Sequence, residues 1–326
     1  MSSALNAPDS TSERDIQLIR EVADRVMTGV PTQVEPFPAT PTEWATTYRI
    51  HVAGSAPDGV ARVLNPRLSA PESIRAEFEL ARELGTAGIG PAILYADHHT
   101  GLAVMEHAPG GHLTEPATAR QAEWTADLLK RLHGLPNTGR PRLQDFKVSE
   151  SLAAVRQRID AHPSLDIYAE AIGRYAETGR FLKETTPVEK LCHNDLNPTN
   201  ILFGESRSWL IDFDHMGLGD PFFDLATVIL SLRLRPDTED HFLRHYFRCP
   251  PTAAESRRLE STKSIVLLRY ALMTLALLPL SFDFAKTAVS EKELSPPFVF
   301  RRDENESHET AVYRLSRAFL VNGLNW

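Results

Sequence analysis

The sequence predicts an α+β fold with two lobes, a small lobe built on an antiparallel β-sheet and a larger lobe made mainly of helices. Three observations predict this fold. Apolar and polar residues alternate between residues 45 and 65, as in half-buried strands. From residue 118 onward, apolar residues recur at the spacing of amphipathic helices. Two short apolar runs between residues 200 and 213 flank a Gly-Glu-Ser-Arg turn, the pattern of a β-hairpin.

The small lobe is predicted to span residues 14–108, after a polar and disordered tail of residues 1–13. Tyr48 and Ile50 alternate with polar neighbours, which indicates a strand with one buried face. Proline and glutamate at the start of a periodic apolar pattern predict the second helix of this lobe. The predicted helices are residues 15–26 and 71–87, and the predicted strands are residues 33–38, 45–53, 59–65, 92–96 and 102–106.

The large lobe is predicted to span residues 109–326. Its most apolar segment, Ser264–Phe282, approaches the length of a membrane span, but Arg269 lies in its interior and Pro279 near its end. We therefore expect a core helix and no membrane insertion. The predicted helices are residues 118–133, 149–162, 165–184, 221–232, 238–247, 253–280 and 311–321.

Composition excludes several classes of function. The chain has 326 residues, 42% of them apolar and 24% charged, and a formal net charge of −8. An acidic chain is poorly suited to bind nucleic acid through its overall charge. The two cysteines, Cys192 and Cys249, are too few for a disulfide framework and fit a reducing cytoplasm. We expect a cytoplasmic protein, and the sequence leaves its oligomeric state open.

Much of the negative charge lies in one segment, His193–Asp224, which has six acidic residues and one arginine. In it, Asp195 lies on the loop that leads into the predicted hairpin, Asn200 lies just before the first strand, and Asp212 lies at the end of the second strand. An aspartate in this position can accept a proton from an attacking hydroxyl, while amide and carboxylate oxygens bind Mg²⁺ on nucleotide phosphates. The order of the three residues is that of a kinase catalytic loop followed by a metal-binding aspartate.

Three other polar residues of this segment have structural interpretations. His193 is expected to brace the catalytic loop by hydrogen bonding. Asp220 reads as a turn residue before a helix. Asp224 is expected to be a buried structural acid.

The motifs HNDLNPTNILF and LIDFDHMGLGDPFFDLA make the chain resemble the aminoglycoside phosphotransferase and choline kinase family, which has a protein-kinase-like fold. The resemblance covers roughly residues 30–285. It implies that Asp195 is the catalytic base, that Asn200 and Asp212 bind Mg²⁺, and that the substrates are ATP and a small molecule with a hydroxyl group. Asp214 falls where choline-kinase-like members have a second acidic residue, so it either contacts the acceptor or binds the metal.

The same resemblance assigns nucleotide-binding residues in the small lobe. Arg62 takes the place of the strand cation that grips phosphates, and Glu77 is favoured over Glu79 as its helical partner. The loop Ala39–Thr46 would cover the phosphates; it has no glycine, but Thr46 can donate a hydroxyl hydrogen bond.

The linker between the lobes is predicted at Glu106 and Ala108. Its backbone N–H and C=O groups can bind adenine edges without a special side chain.

The predicted function is an ATP- and Mg²⁺-dependent phosphotransferase. It acts on the hydroxyl of a small, amine-containing metabolite, in the manner of choline and ethanolamine kinases. Two alternatives stay open. One is an antibiotic phosphotransferase of the aminoglycoside type, and the other is a non-catalytic nucleotide-binding pseudokinase. Trp209 and Tyr270 are aromatic side chains that could hold a quaternary ammonium group, although core packing is the commoner use of either.

Overall fold

The computed structural model describes residues 10–37, 45–54, 58–65, 70–137, 146–184, 189–287, 289–290, 294–296 and 298–326. For residues 10–12 and 146–150 it describes the backbone only. Most of the predicted phosphate loop, residues 39–44, lies outside the described residues, as do residues 1–9 of the predicted tail.

Contacts within the chain define two compact units. The first unit is Met1–Gly111 together with Leu202–Asp214, and the second is His112–Ile201 together with His215–Trp326. The predicted lobe boundary at residue 108 assigns the whole hairpin to the second lobe, whereas the segment from Leu202 groups with the first unit. Backbone hydrogen bonds explain this grouping: Leu210 N–H donates to the Ile89 carbonyl at 2.9 Å, and Gly111 and Phe203 exchange two bonds at 3.1 and 2.9 Å.

The first unit contains a five-stranded antiparallel sheet in the order β1-β2-β3-β5-β4. The predicted α+β fold, with a small antiparallel sheet and a mainly helical second part, is confirmed. Helix α1 begins at Ser10, so residues 10–13 are helical and not part of a disordered tail. The elements of this unit are α1 (Ser10–Val26), β1 (Pro31–Pro36), β2 (Ala45–Val52), β3 (Gly59–Leu64), α2 (Pro71–Thr86), β4 (Ile93–Asp97) and β5 (Leu102–Glu106).

The sheet of the first unit has an apolar cluster on each face. On one face, Ile19 and Val22 of α1 pack with Ile50 of β2 and Ala61 of β3. On the other face, Ile74 and Phe78 of α2 pack with Leu64 and Ala103. Because side chains alternate along a strand, Arg62 and Ala61 lie on opposite faces of β3. Arg62 lies on the face that α2 covers, together with Leu64.

The second unit is mainly helical. Its long helix α8 supplies Leu267, Leu268, Ala271, Leu272 and Leu275 to the main apolar cluster. This helix ends at Ala276 and not at residue 280 as predicted. Its elements are α3 (Ala119–His133), α4 (Phe146–Ala161), α5 (Asp166–Glu184), β6 (Lys190–Cys192), β9 (Gly217–Gly219), α6 (Pro221–Ser231), α7 (Pro236–Phe247), α8 (Ala253–Ala276) and α9 (His308–Leu324).

Two pairs of short strands complete the described chain. Strands β7 (Ile201–Phe203) and β8 (Ser208–Leu210) form the hairpin that the sequence predicts. Strands β6 and β9 pair antiparallel, which the sequence did not predict because each has only three residues. Among the described residues, none of the helices combines the length and the apolar character that a membrane crossing requires.

Candidate active site

The first unit brings four of the predicted site residues together, with three acids around one arginine. The Arg62 guanidinium lies 3.5 Å from a Glu77 oxygen, 3.6 Å from an Asp212 oxygen and 2.8 Å from Asp214 Oδ1, to which it donates a hydrogen bond. Burial alone would lower the pKa of Arg62, but Asp214, Glu77 and Asp212 more than offset this effect and raise it. Arg62 is therefore a permanent cation held among three carboxylates.

The choice between the two glutamates of α2 is settled in favour of Glu77 as the partner of Arg62. Glu79 is exposed and lies 3.4 Å from Arg75, one helical turn away on the same helix. The difference follows from helix geometry, since residues two apart on a helix point to different sides.

The backbone positions Asp212 in a loop and not at the end of a strand as predicted. Strand β8 ends at Leu210, and Asp212 has a positive φ of 62°, a conformation that aspartate tolerates better than most residues. This left-handed residue ends the extended run early. Gly90 permits the close approach of the segment, because a Cβ there would lie 2.8 Å from Phe213 Cζ and 3.3 Å from the Leu210 carbonyl oxygen.

The donor set of this arginine–carboxylate cluster suits a divalent cation and phosphates. Arg62, Glu77, Asp212 and Asp214 have a formal net charge of −2. The side chains of Asp212 and Asp214 are 42% and 34% exposed, so their oxygens remain accessible to a ligand. Carboxylate oxygens are the preferred protein ligands of Mg²⁺, and a guanidinium matches the geometry of phosphate oxygens. The residues present therefore fit a bound metal–nucleotide complex.

The remaining predicted nucleotide-binding residues lie elsewhere on the sheet of the first unit. Thr46 is in β2, where it pairs with Val63, one register position from the pair of Thr47 and Arg62. Glu106 is the exposed last residue of β5. Ala108 is buried, and its carbonyl accepts a hydrogen bond from Gly110 N–H at 2.8 Å. Their roles in nucleotide binding remain predictions.

In the second unit, a buried carboxylate accepts hydrogen bonds from the predicted catalytic loop, residues 193–200. Asp224 is fully buried, as predicted, and its two oxygens accept the backbone N–H groups of His193 at 2.7 Å and Asn194 at 2.8 Å. Asn194 has a positive φ of 63°, which turns the chain immediately before Asp195. The predicted bracing by His193 thus includes its backbone N–H, and its side chain is fully buried.

A second buried group supports Asp224. His133 Nε2 lies 3.1 Å from Asp224 Oδ2, and His133 Nδ1 lies 2.7 Å from the Tyr246 hydroxyl. Burial raises the pKa of Tyr246, so its hydroxyl keeps its proton at neutral pH. The two ring nitrogens of His133 thus join Asp224 to a neutral phenol.

Cys192, next to the loop, is a buried thiol and not a nucleophile. It is fully buried, and burial followed by the charges of Asp224 and Asp220 raises its pKa well above the ordinary value. Asp220 caps helix α6 by accepting the Phe222 N–H at 3.0 Å, as its place before Pro221 predicts.

The carboxylate of Asp195 is held on both oxygens. Oδ1 accepts a hydrogen bond from the Tyr270 hydroxyl at 2.6 Å. Oδ2 lies 3.3 Å from the amide nitrogens of Asn197 and Asn200. Asn200 also donates to the Asp195 carbonyl at 2.8 Å, so its amide nitrogen is used within the loop and its amide oxygen is the atom that suits a metal ion.

The sequence interpretation missed two supports of the loop. Asn194 was not singled out, although its place before Asp195 and the tolerance of asparagine for positive φ are a detectable signal. The bond of Tyr270 to Asp195 joins residues 75 positions apart, and no local pattern reveals such a contact. Trp209, the other aromatic candidate, has the Arg207 guanidinium 4.6 Å from its ring centroid, so a cation already covers it.

The sequence of residues 43–258 matches the phosphotransferase enzyme family, and the chain belongs to this family. The predicted enzyme class is therefore confirmed.

Three known proteins illustrate the similarity. Protein LicA of Haemophilus influenzae is 44% identical over 55 residues, a match that covers 17% of this chain and only 21% of that protein. The structure of a choline/ethanolamine kinase family protein from Mesorhizobium loti has a TM-score of 0.63 and 19% identity, covering 97% of this chain and 95% of that one. Spectinomycin phosphotransferase APH(9)-Ia, solved with ADP and spectinomycin, has a TM-score of 0.62 and 13% identity, covering 94% and 97%.

The replacement Asp224→Asn should lower the thermal stability of the protein strongly. An asparagine keeps the shape but loses the charge, and its NH₂ group would face a backbone N–H. We expect a cost of about 2–4 kcal/mol and a fall in Tm of about 5–10 °C. The same replacement at Asp240, an exposed residue paired with Arg244, is the control and should change Tm by less than about 2 °C. Equal Tm values for the two variants would contradict the role of Asp224.

Proposed function

We propose that the protein transfers the γ-phosphoryl group of ATP to the hydroxyl of a small, amine-bearing metabolite, with Mg²⁺ as cofactor. The observation that carries this proposal is the arrangement of the catalytic loop. Asp195 is fixed through both carboxylate oxygens. Asn200 uses its amide nitrogen within the loop, and its amide oxygen has only a long contact of 3.5 Å with the Thr199 hydroxyl. This arrangement suits the activation of a hydroxyl group beside a metal-bound phosphate.

Each residue of the proposed site has a distinct role. Asp195 accepts the proton of the acceptor hydroxyl as general base. Asp212 and Asn200 are the proposed Mg²⁺ ligands; when bound, the ion neutralises charge on the phosphate oxygens. Arg62 binds phosphate oxygens, and Glu77 holds its guanidinium in place.

Residues of the β-sheet unit are proposed to contact the rest of the nucleotide. Thr46 would donate to phosphate, and the backbone groups of Glu106 and Ala108 would contact adenine. The similarity to a phosphotransferase solved with ADP supports nucleotide binding by this fold.

An amine on the acceptor is favoured by charge. The cluster around Arg62 has a formal net charge of −2, and Asp214 is one of its more exposed acids. A carboxylate in the acceptor site attracts a cationic amine. The similarity to a choline/ethanolamine kinase family protein points in the same direction. Asp214 is the residue that we propose to contact the amine, with metal binding as its alternative role.

An antibiotic phosphotransferase is the second candidate, favoured by the similarity to spectinomycin phosphotransferase. A polycationic antibiotic needs several free acids in the helical unit. Of the acids near the start of α7, however, Glu239 lies 2.6 Å from Lys263 and Asp240 lies 2.6 Å from Arg244. These ion pairs neutralise two of the three acids there, the third being Asp237. This balance favours a small acceptor.

The replacement Asp195→Asn should abolish turnover because the general base is lost. We expect kcat for ADP release with an amino alcohol to fall about 10²–10⁴-fold. The affinity for Mg²⁺·ATP should change less than about twofold, because Asp195 is proposed to act on the acceptor. Exposed Asp240→Asn is the control and should retain wild-type kcat. A wild-type kcat in the Asp195 variant would refute the assignment of Asp195 as general base and would point to another base.

The replacement Asp212→Asn should weaken nucleotide binding only when Mg²⁺ is present. Asparagine tolerates the positive φ of this position, so the backbone strain that alanine would cause is avoided. Calorimetric titration with a non-hydrolysable ATP analogue should give an affinity about 10–100-fold lower with Mg²⁺. Without Mg²⁺ the change should stay below about threefold.

The control for Asp212→Asn is Glu79→Gln, which removes one negative charge from the same unit at an exposed helix position. It should leave both affinities unchanged. If the Asp212 and Glu79 variants bind the nucleotide equally well in Mg²⁺, Asp212 is not a metal ligand.

A further inference from the structure

The side chain of Tyr270 is fixed in place beside the proposed catalytic base. Its ring stacks on Phe319 with centroids 5.4 Å apart and meets the edge of Phe298 at 4.7 Å. Its hydroxyl donates to Asp195 Oδ1 at 2.6 Å, within the range of strong hydrogen bonds to an ionised oxygen. Tyr270 is on helix α8, so a rigid element of the core positions this donor.

The hydroxyl of Tyr270 keeps its proton at neutral pH and can therefore donate to Asp195. Burial, followed by the negative charge of Asp195, raises the pKa of Tyr270 well above its ordinary value. The phenol therefore keeps its proton. A neutral phenol next to a carboxylate can only donate, so the direction of this hydrogen bond is fixed.

The two oxygens of Asp195 are held unequally. Oδ1 has the short bond from Tyr270, whereas the amide nitrogens of Asn197 and Asn200 lie 3.3 Å from Oδ2. Hydrogen bonds weaken at such distances. Oδ2 is therefore the oxygen with more remaining capacity to accept a proton.

We propose that Tyr270 is a positioning residue for the general base: its hydroxyl holds Asp195 Oδ1, so that Oδ2 takes the proton of the acceptor hydroxyl. This inference rests on the proposed kinase function. In the reaction, the O–H bond of the acceptor breaks and its proton passes to Oδ2. The acceptor oxygen forms a bond to the γ-phosphorus, and the bond from that phosphorus to the bridging oxygen of ADP breaks. Tyr270 exchanges no proton and keeps the carboxylate oriented.

The test is a double-mutant cycle with Tyr270→Phe and Asp195→Asn, measured as phosphorylated acceptor per folded enzyme. Tyr270→Phe alone should lower kcat about 10–100-fold, as expected for the loss of one hydrogen bond to a charged group. The KM values for ATP and acceptor should change less than about twofold. In the Asp195→Asn background the same replacement should lower the residual rate less than about twofold, because Tyr270 acts only through Asp195.

Tyr168→Phe is the matched control. Tyr168 is a fully buried tyrosine of the second unit, and its pKa is raised like that of the partly buried Tyr270. Its hydroxyl, however, lies 2.9 Å from Ser316 Oγ and makes no recorded bond to Asp195. Both variants lose one internal hydrogen bond, so both are expected to lose stability. Only Tyr270→Phe should lose kcat per folded enzyme.

Each contrary outcome has a distinct meaning. Equal kcat values for Tyr270→Phe and Tyr168→Phe would overturn the positioning role and leave the proposed function standing. So would an equal loss from Tyr270→Phe in the wild-type and Asp195→Asn backgrounds, because it would show that Tyr270 acts independently of the base. If the wild-type protein turns over no hydroxyl acceptor, the proposed function itself fails, and the positioning role fails with it.

Discussion

The catalytic loop depends on the buried carboxylate of Asp224. A fully buried charge is stable only when hydrogen bonds replace the water that it has lost. Here the replacements are the N–H groups of His193 and Asn194 together with Nε2 of His133. The two N–H groups belong to consecutive residues that lead directly into Asp195. The need to satisfy one buried acid therefore also fixes the backbone of the loop.

In the first unit, the corresponding constraint is the charge of Arg62. A guanidinium on the covered face of a sheet is costly without partners, and Glu77, Asp212 and Asp214 supply them from a helix and a loop. The segment that carries the two aspartates packs on this unit through Leu210, Gly90 and backbone bonds. Packing and charge thus favour the same position for the segment that carries Asp212 and Asp214. The carboxylate oxygens of these two residues remain partly exposed beside the Arg62 guanidinium.

The sequence was sufficient for the fold class. The alternation at Tyr48 and Ile50 predicted a strand, and the family resemblance predicted Glu77 as the partner of Arg62, from which it lies 3.5 Å away. Errors occurred at the ends of elements. Asp212 was placed in a strand because isoleucine and phenylalanine flank it, whereas its positive φ ends the strand earlier.

Long-range contacts were beyond what the sequence alone could reveal. The sequence offers Tyr270 as a core residue or as a contact for a quaternary ammonium group, whereas its bond to Asp195 depends on how α8 packs near the loop. The grouping of the segment from Leu202 with the first unit likewise depends on backbone bonds to Ile89 and Gly111. Such contacts join positions far apart in the chain, and no sequence period encodes them.

The most direct test of this account is to identify the product. The purified protein, incubated with Mg²⁺·ATP and a panel of amino alcohols, size-matched neutral alcohols, sugars, thiamine and aminoglycosides, would be followed by ³¹P NMR. The account predicts a new phosphate monoester signal that is strongest with an amino alcohol and absent without Mg²⁺. A monoester formed only with aminoglycosides or sugars would contradict the proposed acceptor, and the absence of any monoester would contradict the proposed reaction.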